Sequence, residues 1–182
     1  DLLGIESNER RIVFTVANEE KTKKLIQAQK RHMHIGVPGH GIVIAVPIKS
    51  VGGGKTVAFL NGETDNAAYT PSLNYAHELI VAVCSQGCTD MVMNAARAAG
   101  ARGGTVLHGK GTGAKGAPKF YNITIAQEKE MILIVAATSQ KAAIMQSILQ
   151  KAGPDSKAGT IVFSLPTTQV AGFALLDNQD EA

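Results

Sequence analysis

The sequence has few aromatic residues, little net charge and no long apolar run, and each shortage argues against a class of protein. Aromatic residues make up 4% of the 182 residues, and there is no tryptophan. Binding of single-stranded nucleic acid by stacking depends on such side chains. The formal net charge of +3 is far from the basic surface that duplex binding requires. A membrane span needs ~18 consecutive apolar residues, so we expect neither nucleic-acid binding nor membrane insertion.

Cysteine is also scarce. Cys84 and Cys88 are the only two in the sequence, too few to hold a disulfide-rich secreted scaffold together. No signal peptide is visible, and the chain begins at Asp1 rather than Met, which indicates a fragment or a processed product. We expect a cytoplasmic location. Hydrophobic residues make up 45% of the chain, which is enough for a packed core.

The chain contains an internal repeat. Residues 9–53 align without a gap on residues 128–172 and share nine identities with them. Both stretches contain an apolar run, a helix-like stretch, a second apolar run and a proline, in the same order. We interpret the two stretches as products of a tandem duplication.

Each copy has the pattern of a strand, a helix and a second strand. Continuous apolar runs predict strands at 12–17 and 42–46 in the first copy, and at 131–137 and 161–165 in the second. Apolar residues at helical spacing between the two runs predict one helix in each copy, and glycine with proline ends each helix.

The central part of the chain completes one unit. A strand at 78–83, a helix at 90–101 and a strand at 105–107 precede the second copy, so residues 77–173 have the order βαββαβ. This order predicts an α/β fold (α+β in arrangement) of the ferredoxin-like type, in which an antiparallel sheet is packed by helices.

The first unit is incomplete by the same reasoning. Residues 1–53 provide only the second βαβ half, which cannot cover its own sheet face. We therefore expect the first half to lie upstream or to come from another chain. Residues 54–76 have the composition of a linker, and residues 174–182 form a tail.

The stretch 103–113 carries the most chemical information. Gly104, Gly109 and Lys110 nearly match a phosphate-binding P-loop, but Gly111 stands where that motif has its Mg²⁺-binding Ser or Thr. The stretch also contains a strand instead of following one. Glycines and a lysine still suit an anion, because backbone N–H groups can approach a phosphate closely. The alternative is a flexible glycine hinge with a solvated lysine.

Three segments carry a resemblance to a known family. Residues 95–113 (AARAAGARGGTVLHGKGTG) resemble the first helix and second strand of P-II-like nitrogen-regulatory signalling proteins. Residues 161–166 (IVFSLP) resemble the last strand of that family, and residues 39–47 (GHGIVIAVP) have the same ending. The resemblance covers residues 77–173 fully and residues 1–53 as a second-half unit.

The resemblance implies a regulatory protein that is not an enzyme. Such proteins are ferredoxin-like domains that assemble as trimers and bind adenine nucleotides in clefts between neighbouring subunits. A long loop between the second and third strands then docks on an enzyme, a transporter or a transcription factor. Here the effector would be ATP, ADP or AMP, without any other cofactor, and the loop would be residues 112–127. Its partner-binding residues would be Lys115, Lys119 and Tyr121.

The resemblance also implies which residues bind the effector. Thr105 would contact the nucleotide, and Lys157 would belong to a loop that closes over the phosphates from the neighbouring subunit. The full set of nucleotide- or anion-binding residues implied in this way is Thr105, Lys110, Gly111, Gly113, Lys157, Gly159 and Thr160.

The chain departs from the family's usual pattern at several of these positions. Typical members carry an acidic residue between glycines and then a lysine in the last loop, where this chain has Ala158, Gly159 and Thr160. They also use a glutamine for Mg²⁺ and 2-oxoglutarate, where this chain has Ala114 and Lys115. These departures argue against 2-oxoglutarate as an effector.

Two other functions stay open at this point. The first is a metal-binding or metal-responsive protein that uses Cys84 and Cys88, because a helix N-terminus lowers the pKa of a thiol there and His77 or His108 could assist. The second is a structural oligomer that binds no ligand. No catalytic constellation is recognisable in the sequence.

Overall fold

The computed structural model describes most of the chain. The residues it describes are 12–35, 37, 40–48, 72–111, 119–120, 123–124 and 127–172.

This described part of the chain contains three helices and eight strands. The helices are α1 (Glu19–His32), α2 (Thr89–Ala98) and α3 (Thr138–Ala152). The strands are β1 (Val43–Ala45), β2 (Asn74–Ser85), β3 (Thr105–Gly111), β4 (Lys119–Phe120), β5 (Ile123–Thr124), β6 (Gln127–Ala137), β7 (Ile161–Thr167) and β8 (Gln169–Ala171). None of the described helices has both the length and the apolar character needed to cross a membrane.

One four-stranded antiparallel sheet organises the molecule. Its strand order is β3-β6-β2-β7, and every neighbouring pair is antiparallel. With α2 between β2 and β3 and α3 between β6 and β7, this is the ferredoxin-like βαββαβ arrangement. The predicted fold class is therefore confirmed, and the central strands β2 and β6 are longer than their apolar runs alone indicated.

The main core lies between one face of this sheet and the two helices α2 and α3. Alternate residues of β2 and β6 point towards the helices because successive side chains of a strand face opposite sides. The helices contribute residues one turn apart, such as Ile144 and Ile148 of α3. The fully buried side chains of this core include Ile80, Ala82, Val92, Ile132, Ile134, Ile144 and Ile148.

A glycine ends α2 earlier than its apolar pattern predicted. The helix stops at Ala98, and Gly100 follows with a φ of 100°, a left-handed conformation that side chains disfavour. Its N–H donates to the carbonyl of Arg97 (3.0 Å). The chain then turns towards β3, so residues 99–101, which the prediction included in the helix, lie outside it.

Helix α1 is stabilised by its own polar residues. The side chain of Asn18 begins the helix by accepting a hydrogen bond from the N–H of Lys21 (2.9 Å). In addition, the basic residues of this helix are partly neutralised by acidic residues one turn away. The two ion pairs, Lys23–Glu19 and Lys24–Glu20, each have an N–O distance of 2.6 Å.

The first copy of the sequence repeat has two of its three predicted elements. Helix α1 and strand β1 lie where the alignment pairs them with α3 and β7. The predicted strand at 12–17 is wrong, because residues 12–18 have no regular secondary structure. Val13 and Phe14 are 84% and 81% exposed, so no described element buries this apolar run. The tandem arrangement and the boundaries at 53 and 76 stay predictions, because residues 49–71 lie outside the described part.

Candidate functional site

Strand β3 continues through the glycine-rich segment. The sequence predicted a loop after Leu107, but β3 pairs with β6 as far as Gly111, which lies opposite Gln127. A side chain at Gly111 would meet Cγ of Lys129 at 3.0 Å, so the missing side chain leaves room for Lys129 to lie across the strand. The glycines at 109 and 111 therefore serve an extended strand, and the prediction of a loop there is wrong.

Lys110 lies near the end of this edge strand with its side chain exposed. Its ammonium group is 3.4 Å from the carboxylate of Glu128 on the neighbouring strand. A solvated pair of this kind contributes little to stability. The lysine is therefore available to an anion that competes with Glu128.

The loop before β7 forms a tight turn. Ser156 organises it, because its Oγ donates to the carbonyl of Gly153 (2.8 Å) and accepts from the N–H of Ala158 (3.1 Å). Gly159 has a φ of 54°, and the side chain of Lys157 is exposed. Thr160 is fully buried, and its Oγ1 has no hydrogen-bond partner among the described residues.

The two segments lie at the same end of the sheet but at opposite edges. The carbonyl of Ala158 accepts from the N–H of Ser85 (2.9 Å), and the backbone carbonyl of Glu128, which lies opposite Lys110, accepts from the N–H of Gln86 (3.3 Å). These two bonds set the loop and the end of β3 level with each other. Strands β6 and β2 separate β3 from β7. Three strand spacings amount to about 14 Å, so one chain alone does not bring Lys110 and Lys157 to one small anion.

The carboxylate of Glu130 is a feature of this end of the sheet that sequence reasoning missed. It is buried and accepts hydrogen bonds from the N–H of Gly87 (3.1 Å), the N–H of Thr89 (3.1 Å) and the hydroxyl of Thr89 (2.6 Å). These donors surround the first turn of α2, whose own N-cap residue Cys88 makes no side-chain hydrogen bond to the helix. Glu130 therefore caps α2 from a neighbouring strand.

Hydrogen bonding keeps Glu130 ionised. The hydroxyl of Thr89 is the main reason that the pKa of Glu130 lies below its usual 4.5; burial opposes this, and the N–H groups of Gly87 and Thr89 and the nearby His108 reinforce it. Nδ1 of His108 is 3.6 Å from the carboxylate. The sequence holds a signal for this residue: Glu130 is a charged residue at the same alternate spacing as Ile132 and Ile134, and so lies on the core-facing side of β6.

Several predicted residues lie outside the described part of the chain, namely Gly113, Lys115 and Tyr121. Lys119 lies in β4, which pairs with β5 within the predicted loop 112–127. Thr105 lies at the start of β3 opposite Leu133, at the other end of the strand from Lys110.

Comparison with known proteins identifies the family of this domain. The family model of the nitrogen regulatory protein P-II matches residues 77–173, which is more than half of the chain. The chain belongs to the P-II family. The resemblance drawn from residues 95–113 and 161–166 is therefore confirmed, and the protein is a regulatory protein of the P-II type.

The other comparisons add little to the P-II assignment. A crystal structure of Arabidopsis thaliana PII bound to citrate has 20% sequence identity, with a TM-score of 0.38. The match covers 51% of this chain and 76% of the Arabidopsis chain. No protein of curated function matches the chain.

The cysteines of this P-II domain are buried in its core. Cys84 lies in β2 and Cys88 precedes α2. Burial raises the pKa of Cys84 to about 11, and the nearby Glu130 and Cys88 act in the same direction. The expectation that a helix N-terminus lowers a thiol pKa here is wrong for Cys84. The described residues contain no group of three or more His, Cys, Asp or Glu side chains that could hold a metal ion.

Proposed function

We propose that this P-II protein binds a small anionic effector, an adenine nucleotide, in a cleft between subunits. It then signals to a target protein through the loop 112–127. One observation carries the proposal: Lys110 and the Lys157–Thr160 turn lie at the same end of one sheet, on opposite edges. A second copy that sets its β3 edge beside the β7 end of the first would bring both lysines to one ligand.

The charges at this end of the sheet support an anionic effector. Lys110 pairs with Glu128, Lys129 donates to the hydroxyl of Ser85 (3.2 Å) and Lys157 is exposed, whereas Glu130 is already engaged by the start of α2. Phosphate oxygens would compete with Glu128 for the ammonium group of Lys110. Lysine and backbone N–H groups are common phosphate ligands.

The predicted site residues take different parts in this proposal. Lys110, Gly111, Gly113, Lys157 and Gly159 would lie around the phosphates, and Thr105 would contact the nucleotide. Thr160 is enclosed in the single chain, so contact with a ligand would need a movement of the turn that contains it. Trimer formation, a target such as an enzyme, a transporter or a regulator, and a cytoplasmic location belong to the same proposal.

Isothermal titration calorimetry with ATP, ADP and AMP tests the effector. We expect Lys110→Gln to weaken nucleotide binding about 10- to 100-fold, since one hydrogen bond to a charged group is lost. Lys24→Gln is the matched control, because Lys24 is also exposed and paired with a glutamate, on the distant helix α1. The proposal fails if the protein at millimolar ATP, ADP or AMP gives no binding heat, or if both variants bind equally well.

A second measurement tests the signalling loop. Hydrogen–deuterium exchange of residues 112–127 should slow in the presence of the nucleotide, because a bound effector changes the populations of loop conformations. Unchanged exchange in a protein that binds ATP would remove the signalling part of the proposal and leave the binding part.

The metal-binding alternative finds less support. Cys84 is buried with a raised pKa, so its thiol resists forming the thiolate that zinc binds. A structural zinc site also usually has four ligands. The ligand-free structural oligomer remains the second candidate, and the calorimetry above separates it from the nucleotide-binding regulator.

A further inference from the structure

The turn between α1 and β1 brings two histidines together, neither of which belongs to the candidate effector site. The rings of His34 and His40 are in contact, with their centroids 6.0 Å apart and their planes inclined by 73°. Both side chains are exposed, so water and dissolved ions reach both rings.

Hydrogen bonds between near neighbours fold the backbone of this turn. His34 follows α1 with a φ of 54°, the only positive φ of a non-glycine residue in the part of the chain that the structure describes. Histidine enters this left-handed region more often than most side chains. The N–H of Val37 donates to the carbonyl of His34 (3.0 Å), and the N–H of His40 donates to the carbonyl of Val37 (3.1 Å). Two successive turns therefore bring residue 40 back to residue 34.

A buried side chain anchors the turn between the two histidines. Ile35, directly after His34, lies in a buried cluster with Ile26 of α1 and Ala171 of β8. Gly41, directly after His40, passes close to the same side chain, because a Cβ there would be 3.7 Å from Cδ1 of Ile35. The turn is thus held against α1 and the ribbon of β1 and β8.

The ring of His40 is oriented as in many metal-binding histidines. Its Nδ1 lies 3.2 Å from the carbonyl oxygen of Met33. Because a carbonyl oxygen only accepts, Nδ1 carries the proton, and in the neutral ring the lone pair is then on Nε2. A histidine that binds a metal through one nitrogen commonly donates its other N–H to a backbone carbonyl, which fixes the ring and its tautomer.

The separation of the two rings fits two ligands of one metal ion. Metal–nitrogen distances of about 2.1 Å place the centroids of two coordinated imidazoles roughly 4.5–6.4 Å apart, depending on the angle between the ligands. The observed 6.0 Å lies in that range. The side chain of His34 is exposed, and the χ2 torsion of histidine is broad, so a rotation of this ring turns a nitrogen towards the ion.

We propose that His34 and His40 form a two-histidine site for a divalent transition-metal ion, which ties the two ends of this turn together. Imidazole nitrogens suit Zn²⁺, Ni²⁺ and Cu²⁺, whereas Mg²⁺ prefers oxygen ligands. Among the described residues no third His, Cys, Asp or Glu side chain joins the pair, so water completes the coordination shell. The site is separate from the alternative that uses Cys84 and Cys88, and it does not depend on the proposed effector.

Isothermal titration calorimetry with Zn²⁺, Ni²⁺ and Mg²⁺, on protein without a histidine tag or nucleotide, tests the site. We expect Zn²⁺ and Ni²⁺ to bind and Mg²⁺ to give no heat. His34→Asn and His40→Asn should each weaken binding about 10-fold or more, because loss of an outer-shell partner alone typically costs about 10- to 100-fold.

Asparagine is the suitable replacement at both positions. It tolerates a positive φ at residue 34, and its side-chain amide keeps an N–H donor at residue 40. His32→Asn is the matched control, because His32 is also exposed and lies two residues before His34, but on the last turn of α1. This variant should bind Zn²⁺ and Ni²⁺ like the wild type.

Two further measurements follow the ligands and the turn. The electron paramagnetic resonance spectrum of bound Cu²⁺ should show coupling to two imidazole nitrogens in the wild type, and this pattern should be lost in His34→Asn. Zn²⁺ should raise the melting temperature of the wild type but not of the His34→Asn/His40→Asn double variant, because an ion that binds only the folded chain stabilises it.

Several results would overturn the proposed metal site. These are no binding heat at millimolar Zn²⁺ or Ni²⁺, binding of Mg²⁺ as strong as that of Zn²⁺, equal metal affinity of His34→Asn and His32→Asn, or a Cu²⁺ spectrum that the double variant leaves unchanged. Binding of Zn²⁺ without a rise in melting temperature would overturn the tie across the turn. Nucleotide binding is read separately, since neither histidine lies among the residues assigned to the effector.

Discussion

At the scale of single residues, Glu130 connects a strand to the helix beside it. Its carboxylate accepts three hydrogen bonds from Gly87 and Thr89 at the first turn of α2, where four N–H groups lack helical partners. The carboxylate is also next to the positive end of the helix dipole. One side chain therefore fixes the position of α2 relative to β6.

We expect Glu130→Gln to lower the free energy of unfolding at pH 7 by about 1–2 kcal/mol. Because the folded-state pKa of Glu130 is below its ordinary value, the extra free energy of unfolding of the wild type is complete at a pH above that ordinary value. It is lost as the pH falls through the folded-state pKa. Urea unfolding of both proteins at pH 7 and at successively lower pH measures this difference.

Glu128→Gln is the control for that prediction. Glu128 lies two residues away on the same strand, but its partner is the exposed Lys110, so its loss should change stability by about 0.5 kcal/mol or less. If the Gln variants of Glu130 and Glu128 had the same stability at pH 7, Glu130 would not act as the cap of α2.

Cys84 gives a second prediction at this scale. With a pKa of about 11 and a buried side chain, the thiol should not react with a disulfide reagent in the native protein at pH 8, because the thiolate is the reactive form. The same thiol should react at once in urea. Fast labelling of the native protein would contradict this and would revive the metal-binding alternative.

At the scale of elements, the chain enters β3 through Gly104, a position that has no room for a side chain. A Cβ at Gly104 would meet Sδ of Met93, Cγ2 of Ile132 and Cγ1 of Ile134 at 3.0–3.2 Å. The chain therefore passes directly over the core between α2 and β6 before it joins the sheet edge.

Gly104→Ala should destabilise the protein by about 1–3 kcal/mol, the usual cost of overpacking a core. Gly103→Ala is the adjacent control, because its Cβ would have no atom within 4 Å, and neither glycine has a positive φ. Thermal unfolding followed by circular dichroism compares the two. Equal melting temperatures would show that the core accommodates the extra methyl group.

At the scale of the whole molecule, both faces of the central sheet carry apolar side chains, which explains why β2 and β6 have continuous apolar runs instead of an alternating pattern. Helices α2 and α3 cover one face. Residues 42–46, which we call the strap, cover half of the other, with α1 behind them.

Loosening the strap should expose apolar surface and destabilise the chain. Ile44→Asp should increase the fluorescence of a dye that binds exposed apolar surface and lower the free energy of unfolding by about 1–3 kcal/mol, because Leu79 and Val135 lose their cover. Val13→Asp is the control, since Val13 is already exposed. Equal dye binding by both variants would mean that the strap does not protect the sheet face.

Local patterns in the sequence were enough to predict most of the helices and strands of the complete βαββαβ unit. The apolar runs at 78–83, 131–137 and 161–165 predicted the three strands, and glycines after α2 and α3 marked where those helices end. The same kind of pattern failed at 12–17, because an apolar run forms a strand only when another strand pairs with it. Lys110 and Gly111 were predicted in a loop for a related reason: glycine weakens a strand locally, but pairing with β6 holds it extended.

The sequence by itself determined the βαββαβ order of residues 77–173, the family and the lysines that could bind an anion. These depend on the spacing of residues along the chain and on backbone preferences that act over a few positions. Only the tertiary structure decided that Lys110 and Lys157 lie on opposite edges of the sheet, that Glu130 caps α2 and that the strap covers half of one sheet face. Each of these depends on strand register and packing between residues far apart in the sequence, and local preferences do not specify such contacts.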